Sequence, residues 1–289
     1  MDDSTFLHYS RLMNHDSLKL ELQPTTPARA VITFGQVLTS CLVFIGFMPN
    51  LVSAKEWTPL FDGKTLNGWQ SREGVWRVEG GAITAGSHTK KFPRNEFICT
   101  EKSYANFELI LKIKCSGDLK TGQVNSGIQI RSARLKNGSV AGYQIDCGKG
   151  WFGKIYDEHR RRLIYPKPID EAKLLAGVDT FGWNDYRILA EGSRIQVWIN
   201  GIKASDYTET NPLIPLNGII APQIHKGGHV MVQFKDVKIR ELPPTPEATT
   251  WESLGGAEAA LKKVVPKRKL RNRKSNAKPQ AKARLESLK

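Results

Sequence analysis

The sequence predicts an all-β protein, a jelly-roll sandwich of two antiparallel sheets, over residues 55–242. Three observations predict it. Apolar and polar residues alternate in many separate runs, the period of a half-buried strand. Hairpin-type turn dipeptides separate those runs. The only good helical pattern is a short one, around Ile169–Leu175.

The elements follow in chain order. Asp62-Gly63 and Gly80-Gly81 mark early turns. In the run Phe107–Cys115, the odd positions Phe107, Leu109, Leu111, Ile113 and Cys115 are apolar and share a face. Asn125–Arg131 buries Ile128 and Ile130 and presents Gln129 and Arg131. After Asn137-Gly138, the run Gly142–Asp146 groups Tyr143 with Ile145 and presents Gln144 with Asp146. Gly148–Glu158 holds three glycines and two aromatics ahead of Ile155, the composition of a loop that needs positive φ. Arg194–Asn200 puts Ile195, Val197 and Ile199 on one face and leads into the Asn200-Gly201 turn. Asn217-Gly218 precedes Ile219–His225, which sets Gln223 and His225 at one parity. Val230, Val232 and Phe234 share the face of the last run.

The flanks differ from this middle in charge. The chain has 289 residues and a formal net charge of +15. Residues 1–54 hold three Lys/Arg and four Asp/Glu; residues 243–289 hold twelve and four. The segment Val31–Ala54 has no charge, follows Arg29 and ends in Val52-Ser53-Ala54. It reads as a secretory signal peptide. The competing reading is an uncleaved membrane anchor through residues 31–51, since about 20 apolar residues span a bilayer. Either implies export to the periplasm or cell envelope. The tail 243–289 starts with Pro243-Pro244-Thr245-Pro246 and is rich in Lys and Arg. It is expected to be disordered, because it has too little apolar surface to offset ordering entropy. Such a tail suits an anionic envelope surface better than nucleic acid in an exported protein.

Some classes are excluded. Four cysteines do not make a disulfide scaffold. Cys99, Cys115 and Cys147 form no CxxC pair, and buried free thiols are expected, with a Cys99–Cys115 bridge as the alternative. There is no GK[ST] phosphate loop, no HExxH and no G-x-S-x-G elbow, so nucleotide, zincin and serine-hydrolase chemistry is not indicated.

The polar residues of the central runs point elsewhere. Planar amides, Arg and carboxylates at matched parity on three strands, with aromatics such as Trp151, Tyr156 and Trp183 nearby, equip a sugar site. Hydroxyls need paired donors and acceptors, and a pyranose face stacks on a ring.

The motifs also resemble a family. Leu60-Phe-Asp-Gly-Lys-Thr-Leu-Asn-Gly-Trp69 is similar to the opening of the 3-keto-disaccharide hydrolase domain family. The likeness continues in order through Asn95-Glu-Phe-Ile, Tyr104–Glu108, Asn125–Arg131, Gly142–Asp146, Gly153–Asp157, Trp183–Ile188, Trp198–Gly201, Gln223–His225 and Phe234–Ile239. It covers about 55–242. The resemblance implies a concanavalin A-like sandwich that is exported and acts on glycosides whose C3 hydroxyl is a ketone. A partner oxidoreductase could supply such a 3-keto sugar, which the sequence itself does not show. The ketone acidifies the C2 proton, so a base can start an elimination without the two carboxylates of common glycosidases.

Residue chemistry at the motif positions then suggests roles. His225 is the first candidate base, with Asp146 or Glu96 second. Arg131 is expected to stabilise the enolate oxygen, and Tyr156 to protonate the leaving group. Gln129, Gln144, Asp157 and Gln223 are expected to bind hydroxyls, and Trp151 to stack on the sugar. The sequence establishes no cofactor. A divalent metal held by Asp146, Glu96 and His225 would suit those ligand types. The alternative function is a carbohydrate-binding module without catalysis.

Overall fold

The computed structural model describes residues 56–265. The expected leader and the end of the basic tail lie outside the described residues. Within them, no helix is long and apolar enough to cross a membrane.

Sixteen strands and two helices are described, and the strands form two large antiparallel sheets and a small one. The eight-stranded sheet runs β14 (Ile202–Thr208), β13 (Arg194–Ile199), β12 (Trp183–Glu191), β7 (Phe107–Asp118), β16 (His229–Glu241), β4 (Ala82–Lys91) and β3 (Trp76–Glu79), with β1 (Thr58–Pro59) also paired to β16. The six-stranded sheet runs β11 (Arg162–Tyr165), β10 (Ile155–Glu158), β9 (Val140–Gly148), β8 (Asn125–Arg134), β15 (Ile219–Ile224) and β5 (Glu96–Phe97). A two-stranded ribbon joins β2 (Trp69–Gln70) to β6 (Cys99–Thr100). Neighbours distant in sequence, such as β7 beside β16, are the crossovers of a jelly roll.

The alternation builds the core as expected. Phe107, Leu109, Leu111, Ile113 and Cys115 of β7 face Ile128, Ile130, Tyr143, Ile145 and Cys147 of the other sheet within one cluster. Burying each large side chain is worth about 1.5–3 kcal/mol. Asn200-Gly201, with φ of 49° and 76°, closes the β13–β14 hairpin. The three described cysteines are free and buried. Helix α1 (Glu171–Gly177) starts later than expected, because the Asp170 carboxylate caps the amide of Lys173 at 3.0 Å.

Two bulges change the parity of their strands. In β16 the register shifts between Lys235 and Lys238, with Asp236 at φ 55°, so the buried set passes from Val230, Val232 and Phe234 to Val237 and Ile239. In β8 the shift lies between Ile130 and Ala133, and Arg131 has φ 47°. Gly142 sits opposite that bulge; a Cβ there would come within 2.1 Å of Ser132 Oγ.

The expected boundary at residue 242 is corrected by the structure, at least as far as residue 265. Residues 243–265 are ordered and form a strap over the β8–β9 hairpin. Trp251 is buried, and its indole N–H donates to the Arg131 carbonyl at 3.2 Å. With Leu254 and Ala260 of helix α2 (Ala257–Val264), it packs on Ala141. A few well-placed apolar side chains suffice here because the sheet supplies the other half of the contact.

Candidate saccharide-binding site

Strand register assembles the site. Directly opposed residues of an antiparallel pair project from the same face. Gln223 of β15 opposes Gly127 of β8, which opposes Asp146 of β9. The next row along holds Ala221, Gln129, Gln144 and Tyr156. Asn125 continues the same parity on β8. Since Ile128, Ile130 and Ile145 face the core, these polar residues occupy the opposite face of the six-stranded sheet.

They are nonetheless buried, and their hydrogen bonds form a chain. Ser132 Oγ donates to Gln129 Oε1 at 3.0 Å, Gln129 Nε2 to Gln144 Oε1 at 2.9 Å, and Gln144 Nε2 to Asp146 Oδ1 at 2.6 Å. The chain leaves other atoms without partners among the described residues. Asp146 Oδ2, Asn125 Oδ1 and both polar atoms of the Gln223 amide are buried and unpaired. Each such atom costs about 1–3 kcal/mol. All of them flank Gly127, where a Cβ would lie 2.7 Å from Gln144 Cγ. Polar groups that break the rule of satisfaction together, on three adjacent strands, mark a functional surface.

Burial pushes the Asp146 carboxyl well above the ordinary aspartate value, and the charge of Glu158 adds to the rise against the Gln144 hydrogen bond. A raised folded-state value means that the folded protein keeps a proton the unfolded chain has lost. This contribution to stability is full below the ordinary value of 3.8 and is lost as pH rises through the folded value. Asp146→Asn is therefore expected to stabilise the protein at about pH 7 and to give no gain at about pH 3. Thermal unfolding of both proteins at the two pH values checks this; an equal shift at both would show that the carboxyl is not destabilised by burial.

A cavity of about 730 Å³ opens on this side of the sheet, lined by Arg94, Glu96, Arg134, Lys136, Glu158 and Lys226 among others. Glu158 opposes Gly142 and so shares the face of Gln144 and Asp146. His225 immediately precedes the lining residue Lys226 and is not itself part of the lining. Its Nδ1 lies 2.7 Å from the Lys226 carbonyl, which can only accept, so Nδ1 carries the hydrogen and Nε2 keeps a lone pair. Burial holds its pKa below the ordinary histidine value. Burial acts in the opposite sense on Tyr156, whose hydroxyl stays protonated.

Other expected site residues stand elsewhere. The φ of Arg131 turns its guanidinium to the opposing sheet, where Nε reaches the Ala105 carbonyl at 2.8 Å, Nη1 the Gly192 carbonyl at 2.6 Å and Nη2 Asn106 Oδ1 at 2.9 Å. It is fully buried and cannot meet an enolate. Asp157 opposes Tyr143 and points inward, where it binds Arg160 and Arg161 at 2.6 Å each. Trp151 is half-buried in the β9–β10 turn, with the Lys154 ammonium 5.6 Å from its ring, and does not line the cavity. Trp183 is on the other sheet, under Lys235. Glu96 lines the cavity, yet one of its oxygens binds both Arg72 and Arg94, so it is an anchor and not a base. Among the described residues, no three His, Cys, Asp or Glu side chains stand together as metal ligands, so Asp146, Glu96 and His225 do not form the expected set.

Sequence reasoning missed Asn125, Glu158 and the basic wall. Glu158 shares parity with Tyr156, a signal that was present; the wall comes from loops that no periodicity links. A second cavity, about 510 Å³, surrounds Trp198 on the eight-stranded sheet. There the Arg187 guanidinium, 4.1 Å from the ring, covers the indole.

A jelly-roll sandwich with a polar cavity on one sheet defines a carbohydrate-active β-sandwich protein. The chain belongs to the 3-keto-alpha-glucoside-1,2-lyase-like domain family, whose model matches residues 56–240. Among solved structures it is similar to a "putative glycosyl hydrolase" of Parabacteroides distasonis, at 26% identity and a TM-score of 0.49, over 65% of this chain and 100% of that one. A carbohydrate-binding module of Bacillus subtilis matches at 14% identity and a TM-score of 0.42, over 60% and 96%. A Bacillus licheniformis beta-glucanase matches at 10% identity and 0.41, over 66% and 100%. No curated protein matches.

Proposed function

We propose that this protein cleaves 3-keto-glycosides by elimination followed by hydration. Neutral His225 takes the C2 proton, and the C2–H electrons form the enolate of the C3 ketone. The enolate then collapses to a C1–C2 double bond as the C1–O bond breaks. The departing oxygen takes a proton from Tyr156, whose hydroxyl burial keeps protonated until that step. Water then adds its hydroxyl to C1 and gives a proton to the Tyr156 phenolate, His225 returns its proton to C2, and the net change is hydrolysis. Arg131 is withdrawn to the other sheet, and the unpaired Gln223 amide is itself buried beneath the surface. Asp146, kept protonated by burial, ends the amide chain and holds Gln144 beside Tyr156.

The observation that carries this reading is the cluster of buried, unpaired polar atoms of Asn125, Asp146 and Gln223 on one face of the six-stranded sheet, in a chain of the 3-keto-alpha-glucoside-1,2-lyase-like family. The expected leader supports export, and the 3-keto substrate calls for an oxidoreductase acting at a sugar C3 hydroxyl. The test is incubation of the full chain with 3-keto-trehalose beside trehalose, with sugar release followed by chromatography. Release from the ketone alone is expected. Saturable binding of unoxidised saccharide without any turnover would leave a binding module.

A further inference from the structure

The wall of the cavity carries more positive charge than a neutral sugar needs. Five cationic side chains line it against two carboxylates. Arg72 and Arg94 are both engaged by Glu96. Arg134, Lys136 and Lys226 form no ion pair among the described residues. They come from separate segments whose backbones are held in place. The Lys136 amide donates to Glu258 Oε1 at 2.9 Å, the Lys226 amide donates to Asn95 Oδ1 at 3.0 Å, and Arg134 Nη2 binds the Gln70 carbonyl at 2.6 Å. Three like charges fixed around one concavity repel, and a cleft focuses their field on whatever enters. Glu158, the remaining carboxylate, has its pKa raised by burial, which weakens its power to offset them.

We infer that the cavity selects saccharides bearing an anionic group, a uronate carboxylate or a sulfate ester, which Arg134, Lys136 and Lys226 receive while the polar lining of Ser71, Asn95, Asn137 and Ser139 meets the hydroxyls. This rests on the saccharide reading of the cavity and deepens it. Arg134 ends β8, while Lys136 and Lys226 stand on the loops after β8 and β15, so the three cations reach one cavity from separate segments.

The experiment is calorimetric titration of the full chain with digalacturonate, a 4-O-sulfated disaccharide and cellobiose, at low and moderate salt. Small probes avoid polyanion binding by the Lys/Arg-rich tail. At least one anionic disaccharide is expected to bind roughly five- to tenfold more tightly than cellobiose at low salt, with the difference shrinking as salt rises. The stronger arm identifies the anion. Lys136→Gln/Lys226→Gln is expected to erase the difference and leave cellobiose binding intact. Lys114→Gln/Lys235→Gln, the same charge change on the other sheet, is expected to keep it. Anionic and neutral probes of equal affinity, or equal losses in both double variants, would overturn the inference and leave the saccharide site standing. No binding of any probe would instead overturn the saccharide reading itself.

Discussion

His225→Ala is expected to lower kcat on a 3-keto-glycoside by about 10²- to 10⁴-fold, the range a positioned general base supplies. The Lys226 carbonyl holds Nδ1–H, so the basic lone pair is on Nε2. Burial lowers the pKa, with the Lys226 charge acting in the same direction, so the imidazole is neutral over a wider pH range. The working form is the neutral one. The acid limb of kcat/KM for the wild type should therefore have its midpoint below 6.5, with activity rising as pH rises through it. The variant should lose that limb and keep saccharide binding. Unchanged turnover in His225→Ala, with the limb intact, would place the base elsewhere.

Arg131→Met is expected to destabilise the fold by about 3–5 kcal/mol, because three buried neutral acceptors lose a charged donor and each unmet group costs about 1–3 kcal/mol. Three acceptors on the opposing sheet lose their donor together: the carbonyls of Ala105 and Gly192 and the Asn106 amide oxygen. Burial brings the Arg131 pKa down to about 10, so the group remains charged at neutral pH. Arg131→Lys should not rescue stability, because an ammonium cannot serve three spread acceptors as a planar fork does. Urea unfolding of the two variants checks this. A loss below about 1 kcal/mol, with saccharide binding abolished, would return Arg131 to the site.

The difference between the two residues shows how far sequence patterning reaches. Parity alone placed Gln129 and Arg131 together on a sugar-facing surface. The rule held through Ile130 and failed one residue later, because a bulge is a change of φ at a single position and leaves no trace in an alternating pattern. Asp157 was misplaced for a related reason. A carboxylate is expected to face solvent, but Arg160 and Arg161 lie within four residues and satisfy it inward. The strap that carries Trp251 was taken for disordered tail because its few apolar residues have no partner within the strap itself.

What the sequence by itself determined is local or nearest-neighbour: which runs are strands, where the hairpins turn, that the cysteines stay buried, and which family the ordered motifs belong to. Period-2 alternation encodes burial on one face, and burial is what a strand needs in order to form. Only the tertiary structure decided which face each polar run presents, that Glu96 is held by two arginines, and that cationic side chains from separate segments converge on one cavity. Those facts depend on pairing between strands far apart in sequence, on bulges that reset their register, and on loops. None of these has a period for a linear pattern to reveal.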